Sequence, residues 1–184
     1  MARRKERGDR GDMTTEYLLD KEVGRVLAAL MPQNQLIMRV ILHNGARIGD
    51  VLRLRTEQLQ PSFWYFEQKT GKRRRMGLPV PLLEAIQQQA GEEWAFPGRD
   101  GKRPKTRQAV WADVKRAQRA FRLPQNIGTH SARKVYAVKL LEKYGDIERV
   151  RRALNHNSTA VTSIYAMADL LLEKRRGASR RCEA

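Results

Sequence analysis

The sequence predicts a mainly α fold with a small antiparallel β-sheet, and three observations carry that expectation. Apolar residues recur at helical spacing in the first and last thirds of the chain, as in Leu36, Ile37, Val40 and Ile41 and again in Ala137, Leu140, Leu141 and Tyr144. The middle breaks this period with the aromatic β-formers Phe63, Trp64, Tyr65 and Phe66. A turn at Thr70–Gly71–Lys72 then leads into a returning segment from Arg75 to Val80, which makes the middle a hairpin.

The elements follow in order. Residues 1–12 are charged and lack an apolar face, so they read as a flexible basic arm. Thr14 and Thr15 can cap a helix continuing through Leu18, Leu19, Val23, Val26, Leu27 and Leu30. Pro32 and Asn34 open a second helix, and Asn44–Gly45 ends it with an αL-tolerant pair. A third helix starts near Ala46 and runs toward Leu54. After the hairpin, Pro81 suits the first turn of a helix through Gln89, and residues 96–104 read as a loop. Helices follow from about Thr106 to Phe121, from His130 to Tyr144, and around Ile147, Val150 and Leu154. Ser158 can cap a short helix holding Val161, Ile164 and Tyr165. A tail helix spans Asp169 to Arg176, and 177–184 read as a disordered basic tail. Residues 13–176 are thus expected to form one domain.

Lys plus Arg number 37 against 20 Asp plus Glu in 184 residues, a formal charge of +17. Such an excess points to a polyanionic partner, and nucleic acid is the usual one. The single cysteine, Cys182, excludes an internal disulfide, and no Cys/His cluster offers a zinc site, so the chain reads as cytosolic. The N-terminus lacks the apolar core of a signal peptide. No apolar run approaches the roughly 20 residues of a membrane span.

Several charged or polar residues stand in apolar patterns. On a helix Arg47 shares a face with Val51 and Leu54, and Asp50 could hold its guanidinium; a surface Arg47–Asp50 pair is the alternative. Arg133 shares a face with Ala137, Leu140 and Leu141, with His130 one turn earlier near a helix N-terminus suited to phosphate. A histidine cap and a snorkelling arginine would look the same. Tyr165 follows Val161 by one turn and His156 lies in the preceding loop, which also describes a core tyrosine and a loop histidine. The hairpin tip, EQKTGKRRR, sets Lys69, Lys72, Arg73, Arg74 and Arg75 against Glu67 alone. It is either a solvated basic turn or a finger for a DNA groove.

The ordered set Arg47, Lys69, His130, Arg133, His156, Tyr165 resembles the tyrosine recombinase, or phage integrase, family. The passages NGARIGDVLRLRTEQL, QKTGKRRRMGLPVP, GTHSARKVYAVKLLEKYG and RALNHNSTAVTSIYA carry the resemblance. It implies the family's catalytic-domain fold and site-specific DNA recombination by integration, excision or inversion, with double-stranded DNA as partner and no metal or other cofactor. It assigns Arg47 and Arg133 to the phosphate, His130 and His156 to donor or base roles, Lys69 to the leaving oxygen and Tyr165 to the nucleophile. Lys72, Arg73, Arg74 and Arg75 become DNA contacts. The family also suggests a homotetramer on DNA, docked through the helix at 169–176, with a monomer as the form in solution. A bacterial, phage or mobile-element origin fits the same resemblance.

Alternatives implied by related chemistry are a type IB topoisomerase and a non-catalytic DNA-binding relative. This sequence departs from the family pattern in having Asn155 where glycine is usual, Asp50 where glutamate is more frequent, and Lys134 where a second histidine is frequent. Typical members also carry a separate N-terminal helical domain that closes over DNA, for which residues 1–12 and the first helix are too short.

Overall fold

A computed structural model describes Leu18 and residues 20–155. The expected arm at 1–12, the Thr14/Thr15 cap, His156, Tyr165, the helix at 169–176 and the tail at 177–184 lie outside the described residues. Within them the order is α1 (Asp20–Ala29), α2 (Pro32–Asn44), α3 (Ile48–Leu52), a 3-10 turn (Thr56–Gln58), β1 (Ser62–Phe66), β2 (Arg73–Gly77), α4 (Val80–Gln89), α5 (Arg107–Ala120), α6 (Thr129–Tyr144) and α7 (Ile147–Leu154). The predicted mainly helical fold with one hairpin is what forms.

Helix α2 is the axis of the fold. It packs on α6, α4, α3 and α1, and its Ile37, Val40 and Ile41 are completely buried. Each such side chain contributes about 1.5–3 kcal/mol of burial. Pro32 sits in its first turn. The cap comes from another helix: Asp113 of α5 accepts the Met31 backbone N–H at 2.8 Å and the Asn34 amide at 2.7 Å. Arg116 closes this buried polar knot at 2.6 Å. Burial would raise the Asp113 carboxyl, but the bonds from Asn34, Met31 and Arg116 prevail and hold it below its ordinary value.

Gly45 ends α2 in the left-handed conformation at φ +60°, as its Asn–Gly signal predicts. A Cβ there would lie 2.3 Å from the Tyr136 ring. The glycine therefore serves both the turn and the close approach of α6.

The strands pair antiparallel, with Phe63 opposite Met76, Tyr65 opposite Arg74 and Phe66 opposite Arg73. Alternation buries Phe63, Tyr65 and Met76 and leaves Trp64 and Phe66 exposed. The second strand starts two residues earlier than expected and ends three earlier. The basic residues Arg73 and Arg74 are therefore part of the ladder rather than of the turn.

Helix α5 is capped by Thr106 Oγ1 and α7 by Asp146, which accepts N–H bonds from Glu148 and Arg149. Ala137, Val150 and Leu154 form a second small core between α6 and α7. Asn155 ends α7 at φ +52°, in the left-handed region that asparagine tolerates better than other non-glycine residues. Among the described residues no helix is long and apolar enough to cross a membrane.

Candidate active site

Arg47 is delivered by the α2–α3 corner. Its backbone is extended, at φ −76° and ψ 145°, and it caps α3 rather than lying within it. The side chain therefore leaves at the mouth of the helix, not along the Val51–Leu54 face that the sequence suggested. Its Nη1 donates to Glu67 at 2.8 Å.

Asp50 does not hold this guanidinium. It is buried inside α3, and its Oδ1 accepts the Gln68 backbone N–H at 3.0 Å. Because Arg47 stands outside the helix, the two side chains reach neighbouring points of one hairpin corner. Asp50 anchors that corner, and Glu67 within it holds the arginine.

Glu67 is fully buried. An isolated carboxylate would not be tolerated there, and four side chains satisfy it. Its Oε2 accepts from Arg47 at 2.8 Å, Thr70 at 2.8 Å and Asn155 at 3.1 Å, and its Oε1 from Arg74 at 3.2 Å. Burial would raise its carboxyl, but the bonds from Thr70 and Arg47, the Arg47 charge and the bond from Asn155 outweigh it. The group stays ionised, below the usual carboxylate range.

Composition hid this residue, since it is the lone acid in a basic run. Period two would have shown it, because Phe63, Tyr65 and Glu67 share the inward face.

Arg133 is buried on the inner face of α6, as expected. The groups that meet it are main-chain carbonyls: Nη1 donates to Gly45 and Nη2 to Leu154 at 2.5 Å. Two bonds from one planar fork fix its orientation, which a lysine could not reproduce. Burial first, then the charges of Arg47 and Arg74, push its pKa down to about 10, so it remains a cation at neutral pH.

His130, in the first turn of α6, is exposed. Partial burial of the imidazole, followed by the charges of Arg133, Arg47, Lys134 and Arg107, lowers its pKa from 6.5. Arg47, Arg133 and His130, from elements far apart in sequence, are thus close enough to act on one another electrostatically.

Lys69 is exposed in the hairpin turn, and Lys72, Arg73 and Arg75 are exposed beside it. Arg74 differs from the other three expected DNA contacts in being half-buried. It lies opposite Tyr65 on the inner side of the ladder, bonded to Glu67 and, at 2.5 Å, to the Asn44 carbonyl. Arg73 instead stacks on exposed Trp64, 4.6 Å from the ring centroid.

Arg107 of α5 is a cation the motifs did not reveal. Its Nη2 would be 2.3 Å from a Cβ at Gly49, so the glycine admits it against α3. Tyr65 is poorly suited to nucleophilic attack: burial, offset in part by Arg74, pushes its hydroxyl up to about 12. Among the described residues no group of His, Cys, Asp and Glu could hold a metal ion. A cleft of about 840 Å³ beside Arg55, Glu93, Arg99 and Lys102 shares no residue with the arginine cluster.

Comparison with known proteins places these residues in a family. The sequence profile of the phage integrase family matches residues 16–170. The integrase of Escherichia phage P2 is 30% identical over 157 residues, covering 83% of this chain and 43% of the phage protein. The chain thus spans less than half the length of that relative. The catalytic domain of bacteriophage HP1 integrase superposes with a TM-score of 0.57 at 22% identity, covering 84% of this chain and 89% of that domain. The XerH site-specific recombinase bound to its difH substrate gives a TM-score of 0.65 at 21% identity, covering 82% of this chain and 49% of XerH.

Proposed function

The chain belongs to the phage integrase family, and on that premise we propose that it is the catalytic part of a site-specific DNA recombinase working through a 3′-phosphotyrosyl intermediate. The observation that carries the proposal is the convergence of Arg47, Arg133 and His130. Two oriented guanidiniums and an imidazole from distant elements share one electrostatic neighbourhood. A phosphodiester is the ligand such a cluster fits, because paired N–H groups match its non-bridging oxygens.

In the proposed reaction the Tyr165 oxygen attacks phosphorus and the bond from phosphorus to the 5′-oxygen breaks. Arg47 and Arg133 stabilise the charge that grows on the non-bridging oxygens. Lys69 gives its proton to the departing 5′-oxygen. His130 accepts the tyrosine proton, and His156 donates a hydrogen bond to the phosphate. The covalent link keeps the energy of the broken strand, so rejoining is the same steps reversed. Asp50 supports the site through the hairpin corner. Exposed Lys72, Arg73 and Arg75 would contact the DNA backbone, while Arg74 serves the site from within through Glu67. Assembly on DNA would use the segment at 169–176, as a tetramer on two duplexes.

The test is covalent capture on nicked duplexes, with Tyr165→Phe as the control and a 5′-thio leaving group as the probe of Lys69. Sulfur leaves without protonation, so it should restore cleavage to Lys69→Ala and not to Arg133→Lys. Capture by Tyr165→Phe, or equal rescue of both variants, would refute the assignments. Relaxation of plasmids without any recombination site would point instead to a topoisomerase. Binding without capture would point to a non-catalytic relative.

A further inference from the structure

We propose that the last turn of α7 is a strut that sets the two site arginines against each other, with Asn155 as its positioning residue. The inference rests on the reading of Arg47 and Arg133 as phosphate-binding groups and concerns a side-chain contact that a glycine at this position could not make. Leu154 gives its carbonyl to Arg133 Nη2 at 2.5 Å. The next residue, Asn155, gives its side-chain N–H to Glu67 Oε2 at 3.1 Å. That same oxygen accepts from Arg47 Nη1. Adjacent residues of one helix end therefore hold one arginine through the backbone and the other through a carboxylate.

The contacts close on themselves. The second Nη of Arg133 bonds to the carbonyl of Gly45, two residues before Arg47. The ring runs from Gly45 to Arg133, Leu154, Asn155, Glu67 and Arg47, and returns along the backbone of the α2–α3 corner. No member can shift without displacing its neighbours.

Conformation alone does not call for asparagine at this point. Asn155 lies at φ +52° and ψ 40°, a geometry that glycine adopts at no steric cost. Asparagine adds a donor, and that donor is spent on the buried carboxylate. His156 is the next residue in sequence, so the strut also stands at the entrance to the segment with the remaining proposed site residues.

Asn155→Gly separates the two contributions, since it keeps the backbone conformation and removes the bond. The first readout is rotation of the arginine guanidiniums about Nε–Cζ, measured by nitrogen NMR on the intact chain without DNA. Arg47 should rotate about tenfold faster in Asn155→Gly, the scale set by losing one hydrogen bond to a charged group. The second readout is the rate of covalent capture, which should fall by a similar factor while DNA affinity stays within about twofold. Asn155→Asp supplies a second variant of the native shape. It sets a second acid beside Glu67, Arg47 and Arg74, and should loosen Arg47 at neutral pH. Acidification should restore order as the two acids come to share a proton.

Unchanged Arg47 rotation in Asn155→Gly overturns the proposal, as does a pH-independent Asn155→Asp. Faster rotation with an undiminished capture rate overturns it too. If the unmodified chain captures no DNA, the recombinase reading fails, and the rotation measurements still decide the strut.

Discussion

Replacing Glu67 by glutamine should destabilise the fold by about 3 kcal/mol, although it removes only a charge. The side chain has no solvent exposure, and its partners Arg47 and Arg74 are only 18% and 13% exposed. Removing one partner of a buried ion pair costs about 3–5 kcal/mol, because the other charge stays buried without compensation. The lower end applies here. Glutamine still offers one acceptor to Arg47, Thr70 and Asn155, but it turns an N–H toward Arg74. For a chain of this length the loss corresponds to about 6–12 °C in Tm.

Denaturant unfolding measures the loss as a lower midpoint at unchanged slope. Glu93→Gln is the internal control. Its pair with Arg55 is 53% and 40% exposed, so about 1 kcal/mol or less is expected. The Glu67 carboxyl is held below its unfolded value, so its contribution is complete above about pH 4.5 and fades as pH falls through the folded value. Glu67→Gln should flatten that part of the stability profile. Equal effects of the two substitutions would refute Glu67 as the centre of the site.

Gly45→Ala should cost about 2–5 kcal/mol, combining the strain of a left-handed alanine with overpacking against Tyr136, and chemical denaturation reads it directly. An effect below about 1 kcal/mol would mean that α6 yields easily at this contact. The His130 imidazole should titrate below 6.5 in the free protein, followed by NMR of its ring protons, and should move upward when duplex DNA brings a phosphate to the cluster. Because the folded value lies below the unfolded one, His130 removes stability as pH falls from about 6.5 toward the folded value, and His130→Gln should lessen that fall.

Local chemistry made the helices legible. Pro32, Gly45 and Thr106 mark ends that the folded chain uses. The aromatic run and the Gly71 turn marked the hairpin, and Gly71 does adopt φ +64°. Arg133 stood on an apolar helical face, and its burial excludes the snorkelling alternative that the pattern left open. Its partners were not legible, because carbonyls from Gly45 and Leu154 leave no mark in side-chain pattern.

The wheel reading of Arg47 failed for a boundary reason. The helix begins at Ile48 rather than near Ala46, and that two-residue shift moved the guanidinium from a helix face to its mouth. Glu67, for which no role was expected, takes the contact with Arg47 that was expected of Asp50. Which of several nearby acids meets an arginine depends on how the α2–α3 corner meets the hairpin, a long-range fact. Composition could not single out Arg74 within the basic run, since strand alternation decides which of its members face water.

The most direct test of the account is the chemical identity of the link formed with cleaved DNA. After capture on a nicked duplex and proteolysis, mass spectrometry of the DNA–peptide adduct should find Tyr165 joined to a 3′-phosphate, with a free 5′-hydroxyl on the other strand end. A link through Tyr136 or Tyr144, attachment to a 5′-phosphate, or no adduct under conditions where the protein binds the duplex would contradict it.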